Sequence, residues 1–385
     1  MLAFLLIGCE IDRTPIVLSE AEERTLPLEI RRATLDRLSV LGYTGATGEP
    51  AGAGGVILRT GGAQPGFSLL TSGHGPAAFL IDGDGRELHR WIWSPPAGER
   101  RRFLRRRRPY WRRVELLPDR QLLALFDDRS LIKLDRRSRL VWAYFGTPHD
   151  DFELLPAGEI VLLTAETRSQ TEGGPRRDEV LVWLSADGEE LRRLSLAECF
   201  ERSEYGRAWK EWSATEDEPV SASSLQWIGH SSGEVAGLSA GNLLVSLRSP
   251  SLLAAVDPGA GRVVWVERRS SPGEAELLPS GRLLLFENGE LERRSRLLEI
   301  DPASGETAWR YRAAAAEPFF SARFGGGQRL ANGNTLIVDG ERGRAFELTP
   351  DGERVWEYVN PYAAGPASGY RAALIDLERL PRGSF

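Results

Sequence analysis

A chain of 385 residues, 41% hydrophobic and 27% charged, has ample apolar material for a packed core. Its formal charge of −6 excludes a dedicated nucleic-acid surface, which needs a basic stripe. Two cysteines, Cys9 and Cys199, exclude a disulfide framework.

The first residues, Met1–Ile7, are apolar and lead into Leu6-Ile-Gly-Cys9. That run resembles the lipobox of bacterial lipoproteins, whose cysteine is acylated once the signal is cut, although a basic leader is missing and the apolar stretch is short. The expectation is a signal over 1–9, a lipid anchor to the membrane at Cys9, and a periplasmic or cell-envelope location. Cys199 is then a buried thiol. Residues 10–55 read as a helix and tether: Leu26, Ile30, Leu35, Leu38 and Leu41 recur at near-helical spacing, Gly42 stops the helix, and Thr44–Gly55 is rich in Gly, Ala, Thr and Pro. No later segment approaches the ~18 apolar residues of a spanning helix.

From Gly66 one grammar recurs: an apolar run, a Gly-containing turn, a second apolar run, then Asp-x-x-Gly and a closing Trp. The clearest copy is Ala275-Glu-Leu-Leu-Pro-Ser-Gly-Arg-Leu-Leu-Leu-Phe286 followed by Leu297-Leu-Glu-Ile-Asp-Pro-Ala-Ser-Gly-Glu-Thr-Ala-Trp309. The copies are Gly66–Trp93, Val114–Trp142, Phe152–Leu194, Ser223–Trp265, Ala275–Trp309 and Gln328–Trp356, with a polar insertion at Glu198–Glu218. A period of roughly 40–50 residues with several strands per unit predicts propeller blades. The fold class is therefore all-β: a six-bladed β-propeller over 56–385 with a short N-terminal helical and linker segment. Gly supplies the positive φ of the hairpin turns, and the recurring Trp packs blade on blade. The basic run Arg100–Arg113 reads as a solvated loop and outer strand, or as a dock for an anionic membrane or polyanion.

Strand direction alternates, so the lead-in to strand A and the B–C joint share one face of every blade, and the two Gly turns share the other. Sorted this way, His74, Asp127–Arg129, His149, Asp150, Asp151, Glu166, Arg168, Ser221, Ser223, Arg248, Glu274, Glu287, Asn288, Asp339 and Arg342 gather on the channel face. His230 falls on the other face and His89 on strand D.

Tyr110-Trp-Arg-Arg113, Leu131-Ile-Lys-Leu-Asp135, Phe152-Glu-Leu-Leu-Pro156, Leu244-Val-Ser-Leu-Arg248, Ala254-Ala-Val-Asp-Pro258 with Val263-Val-Trp265, and Gln328-Arg-Leu330 with Asn332-Gly-Asn-Thr-Leu-Ile337 occur in order at blade spacing. In these motifs the chain resembles the bacterial arylsulfotransferases, six-bladed propellers of the periplasm. That resemblance implies ping-pong transfer: a histidine takes the sulfuryl group of an aryl sulfate and passes it to a phenol. Such chemistry needs a neutral imidazole, groups that bind the sulfuryl oxygens, and a general acid.

The chain departs from the family where the chemistry sits. The family's His-His-Asp stands here as His149-Asp150-Asp151, its His-x-Asn-Ser as Ser221-Ala-Ser-Ser224, and its Gln-His-Asp, bearing the sulfated histidine, as Pro272-Gly273-Glu274. Arg248 is retained. Two readings follow. One is a propeller with weakened or lost catalysis that binds an anionic or aromatic small molecule or a partner through Arg248, Asp150, Asp151, Glu166, Ser221, Ser223, Glu274 and His74. The other is an active sulfotransferase with His149 as nucleophile, Arg248 on the sulfuryl oxygens, and an aryl sulfate or phenol-like ligand. Both expect a monomer without cofactor or nucleic acid. No helical His-x-x-x-His or paired-Cys metal pattern occurs, though His149, Asp150, Asp151 and Glu166 are donors that could hold Ca²⁺.

Overall fold

Short apolar runs punctuated by turns with positive φ can only fold back as antiparallel hairpins, and such hairpins occupy most of the chain. The computed structural model describes residues 46–104, 109–168, 176–215, 220–229, 235, 237–290, 292–311, 313, 319–364 and 369–381. Cys9, the helix expected over 20–41, Arg105–Arg108 and His230 lie outside them.

Strands β1 (Ala46–Pro50) and β2 (Gly55–Arg59) come first. Blade 1 follows with β3 (Phe67–Ser72), β4 (Ala77–Ile81) and β5 (Glu87–Ile92), then α1 (Arg100–Phe103). Blade 2 holds β6 (Arg113–Leu116), β7 (Leu122–Phe126), β8 (Ser130–Leu134) and β9 (Leu140–Tyr144). Blade 3 holds β10 (Pro148–Leu154), β11 (Ile160–Arg168), β12 (Arg176–Leu184) and β13 (Glu190–Ser195). Next come α2 (Leu196–Glu201) and α3 (Gly206–Thr215), in the stretch read as a polar insertion. They are helical because Ser195 caps the backbone of Glu198 and because Phe200 stacks on Trp209 with centroids 4.1 Å apart. Blade 4 holds β14 (Ser221–Trp227), β15 (Leu243–Ser249), β16 (Leu252–Asp257) and β17 (Arg262–Arg268). Blade 5 holds β18 (Pro272–Leu277), β19 (Leu283–Glu287), β20 (Arg296–Ile300) and β21 (Thr307–Tyr311). Blade 6 holds β22 (Gly325–Arg329), β23 (Thr335–Asp339), β24 (Arg344–Leu348) and β25 (Arg354–Val359), before β26 (Tyr370–Ala372) and β27 (Leu374–Leu380).

This is a six-bladed propeller, closed by both ends of the described chain. β27 is the innermost strand of blade 1, pairing Leu377 with Leu70 and Leu380 with Phe67. β2 adds a fifth, outermost strand to blade 6 through its pairing with β25. Blade 1 thus draws only three strands from Gly66–Trp93. Within the stretch read as a tether, β1 pairs with β26, Ala46 opposite Ala372. Sequence proximity suggested neither pairing, because both partners lie at the other end of the chain. The seam is held by Arg379, 4% exposed, whose Nη2 lies 3.4 Å from Glu347 Oε2 and whose Nη1 donates to Gln64 O at 2.6 Å.

The repeated residues have distinct physical jobs. Gly158 and Gly281 take φ of 84° and 81° in the Leu-Pro-x-Gly turns, and Gly333 takes 88° in the equivalent Leu330-Ala-Asn-Gly333 turn. Blade 2 has Arg120 there, forced to φ 62°. Strand-D tryptophans reach the next blade: Trp142 Nε1 donates to Ala186 O at 3.1 Å and Trp356 Nε1 to Gly83 O at 3.0 Å. Inner strands expose an edge of unpaired N–H groups to the channel, and side chains of the preceding blade satisfy them. Asp151 accepts from Leu225 N–H at 2.9 Å, Ser224 from Ala275 N–H at 3.2 Å and Glu274 from Gly327 N–H at 3.2 Å. Gln226 accepts from Leu277 N–H at 2.7 Å, and Gln328 from Arg379 N–H at 2.8 Å.

Candidate functional site

The lead-ins to the inner strands, together with the B–C joints, enclose a cavity of about 540 Å³ on the channel face. At its mouth stand Arg112, Arg177, Arg248 and Arg323, with Asp127, Asp128, Asp150, Ser221, Ser223 and Gly273. One to three residues further along the inner strands come Arg113, Asp151, Glu153, Glu274 and Glu276, joined by Asp376 and Glu378 of β27.

His149 organises the mouth from underneath. It is 1% exposed, with Nδ1 3.1 Å from Asp150 Oδ2 and Nε2 2.8 Å from Glu179 Oε2. Asp150 Oδ1 in turn lies 3.5 Å from Arg112 Nη2, and Glu179 Oε1 accepts from Arg177 Nε at 2.8 Å. Burial alone would push the His149 pKa down, but the Glu179 and Asp150 carboxylates outweigh it and hold the pKa well above the ordinary value. Burial would likewise raise Asp150, yet His149, Arg112 and Arg248 pull it well below the ordinary carboxylate range. Both ring nitrogens are thus engaged: Nδ1 faces Asp150, and Nε2 lies between Glu179 Oε2 at 2.8 Å and Arg177 Nη2 at 3.3 Å, so neither is presented to the cavity for attack on sulfur. Asp150 adopts φ 54°, a conformation held by its N–H donating to Asp127 Oδ1 at 3.1 Å.

Arg248 differs from its neighbours. It lines the cavity, is half-buried, and makes no side-chain hydrogen bond or ion pair with any of the described residues. Its guanidinium is the mouth's open donor. Ser221 lines the same wall, while the Ser223 hydroxyl donates across to the Pro272 and Gly273 carbonyls at 3.0 and 2.9 Å. A Cβ on Gly273 would come within 2.7 Å of Asn288 Oδ1 and 3.1 Å of Phe286 Cδ1, so no side chain, imidazole included, fits that position unaltered.

The deeper channel is electrostatically opposite. Arg113 sits 3.4 Å from both Asp151 and Asp376. Burial among other carboxylates pushes Glu153 and Glu274 up to about 8 and Glu378 up to about 7. Glu115 is raised too, by burial first.

Of the residues singled out in the sequence, Asp150, Asp151, Ser221, Ser223, Glu274 and Arg248 line the cavity, with His149 directly behind it. Glu166 does not: it is exposed and paired with Arg193. His74 also lies apart, stacked 4.2 Å from the Tyr362 ring, its pKa lowered to about 4 by burial. Asp151 and Glu274 spend an oxygen each on capping the next blade. Sequence reasoning missed Arg112, Arg177, Arg323 and Glu179. Arg112 was visible in the Tyr110–Arg113 motif, whereas nothing local marks Glu179 on β12 as the partner of His149. Among the described residues no three His, Cys, Asp or Glu side chains are grouped to hold a metal ion, and no helix is long and apolar enough to cross a membrane.

Residues 177–370, half of the chain, match the family model described as outer membrane protein assembly factor BamB. No match is found among curated proteins. Among solved structures, a protein of unknown function from Bacteroides caccae is 14% identical, with 82% of this chain and 98% of that one covered at a TM-score of 0.52. BamB from Moraxella catarrhalis is 10% identical, covering 75% of this chain and 72% of that one at a TM-score of 0.36. A streptogramin B lyase is 12% identical, covering 88% and 97% at a TM-score of 0.45. At such identities the likeness to the Bacteroides caccae protein is one of fold. On the match over blades 3 to 6, the chain belongs to the family of outer membrane protein assembly factor BamB.

Proposed function

We propose that this protein is a non-catalytic binding propeller of the bacterial cell envelope. Its channel-face cavity takes an anionic group, carried by a small molecule or a partner, with Arg248 as principal contact. The observation carrying this is the Arg248 guanidinium, which lines a 540 Å³ cavity and makes no hydrogen bond or close ion pair with any described residue, acting on Asp150 only through space. Arg112 and Arg177 line the same cavity. Charge-assisted hydrogen bonds to guanidinium are the strong ones in a partly desolvated site.

Sulfotransfer, implied by the motif resemblance, is the weaker reading. It requires a neutral imidazole at the cavity, and the histidine behind this wall is buried and bound at both nitrogens. The family's name, concerned with outer membrane assembly, supports an envelope location. With the Leu6–Cys9 lipobox it also supports a lipid-anchored protein in which 1–9 is a signal and the residues up to 45 a spacer before β1 and the propeller.

Titration calorimetry with inorganic sulfate and with 4-nitrophenyl sulfate tests the reading. The native protein should bind both without releasing 4-nitrophenol, and Arg248→Ala should lose at least about tenfold in affinity. Equal binding by Arg248→Ala, or none by the native protein, refutes it. Steady 4-nitrophenol release with phenol present would establish sulfotransfer instead.

A further inference from the structure

The mouth is wired through one buried row of alternating charges: Arg112, Asp150, His149, Glu179, Arg177. Its contacts are 3.5, 3.1, 2.8 and 2.8 Å in that order. The two inner carboxylates each hold one cavity-lining guanidinium, and the imidazole bridges the carboxylates. His149 is 1% exposed and Glu179 fully buried, so solvent cannot substitute for either. We infer that His149 is a positioning residue: the central member of this row, it fixes Arg112 and Arg177 in the cavity wall that they share with Arg248 and thereby sets how tightly an anion is held.

This inference rests on the anion-binding reading of the cavity and deepens it. With His149 protonated, three cations and two anions leave the row one positive charge in excess. Without that proton the excess vanishes, and Glu179 and Asp150 face each other across a neutral ring. Arg177 would then turn fully toward Glu179, its Nη2 already 3.3 Å from His149 Nε2, and leave the mouth. The other charged groups around His149 are Asp178 beside Glu179 on β12, Asp127 on the blade 2 joint bound to the Asp150 N–H, and Arg248 on β15 acting on Asp150. None of them replaces the bridge between the two carboxylates. A buried carboxylate that loses its cation is costly.

The test uses the whole chain and inorganic sulfate as the probe. Sulfate affinity of the native protein should be steady at low pH and weaken by about tenfold as pH rises through the His149 titration, the loss of one nearby charge. His149→Gln should bind about tenfold more weakly at neutral pH and show no such pH step. Arg248→Ala should be weaker still but keep the step. Should His149→Gln fold poorly, Glu179→Gln breaks the same row and should likewise erase the step. Ring ¹⁵N resonances of His149 in the native protein should report an imidazolium at pH 7.5; a neutral ring there overturns the inference. Sulfate binding by His149→Gln that is as tight and pH-dependent as in the native protein also overturns it, while leaving the anion site standing. Absence of sulfate binding in the native protein at every pH removes both.

Discussion

The cavity mouth and the channel below it are built from the same inner strands, one to three residues apart, yet they solve charge burial in opposite ways. At the mouth two carboxylates are tied to cations: Asp150 and Glu179 share His149 and end on Arg112 and Arg177. Below, one guanidinium, Arg113, stands among Asp151, Asp376, Glu274 and Glu378, and burial raises the glutamates well above the usual carboxylate range, Glu274 to about 8 and Glu378 to about 7. Paired charge gives fixed donors, suited to holding a ligand. Unpaired acid gives neutral carboxyls, suited to lining a channel and to bonding the neighbouring strand. The difference teaches that charged residues in a propeller channel cannot be read as one site.

The largest expected effect breaks the mouth. Glu179→Ala strands the buried imidazole beside a single carboxylate and should cost about 3–5 kcal/mol in chemical denaturation; a change below about 1 kcal/mol would mean that the row is not coupled. Next, Gly273→Ala forces a Cβ to within 2.7 Å of Asn288 Oδ1, and a melting experiment should show a loss of about 1–3 kcal/mol.

The lower channel is probed by pH. Glu153 and Glu378, whose unfolded-chain value is near 4.5, are raised in the folded state to about 8 and about 7. The native state thus holds protons that the unfolded chain has released. Their contribution is complete below about pH 4.5 and is lost as pH climbs toward 8. His149 has the same sign: its contribution is full below about 6.5 and lost as pH rises through its elevated folded value. Asp150, held low, contributes above about 3.8 and loses that contribution as pH falls. The double variant Glu153→Gln, Glu378→Gln should therefore flatten the decline in stability between pH 5 and pH 8 by on the order of 1–2 kcal/mol, with sulfate affinity unchanged. A slope identical to the native one would show that these carboxyls are solvated.

The smallest effect is a control on the opposite face. Arg120 occupies φ 62°, where the other copies of the turn carry Gly. Arg120→Gly should stabilise by about 0.5–1 kcal/mol without altering the mouth; destabilisation would mean that the Arg120 side chain contributes more than its backbone strain costs.

Much of this architecture was legible in the chain. Leu-Pro-x-Gly and Asp-x-x-Gly located the hairpins, and their spacing counted the blades. Strand alternation brought Asp150, Ser221 and Arg248 to one face, because direction along a strand fixes which end of a blade each joint occupies. It failed for Glu166 and His74, where β11 runs on beyond the cavity and a local aromatic stack captures the imidazole. Asp376-Leu-Glu-Arg-Leu-Pro381 repeats the inner-strand motif, yet its partner β3 lies some three hundred residues earlier, and no local signal announces such closure.

Sequence alone thus determined the periodic quantities: turn positions, blade number and which face a joint occupies. Tertiary structure decided which charges meet. His149 pairs with Glu179 only because β10 and β12 lie one strand apart in the same sheet, and Gly273 is closed to side chains only because Phe286 and Asn288 fold over it. Local periodicity is written in the order of residues, whereas ion pairs and steric exclusion depend on distances that exist only once the ring has closed.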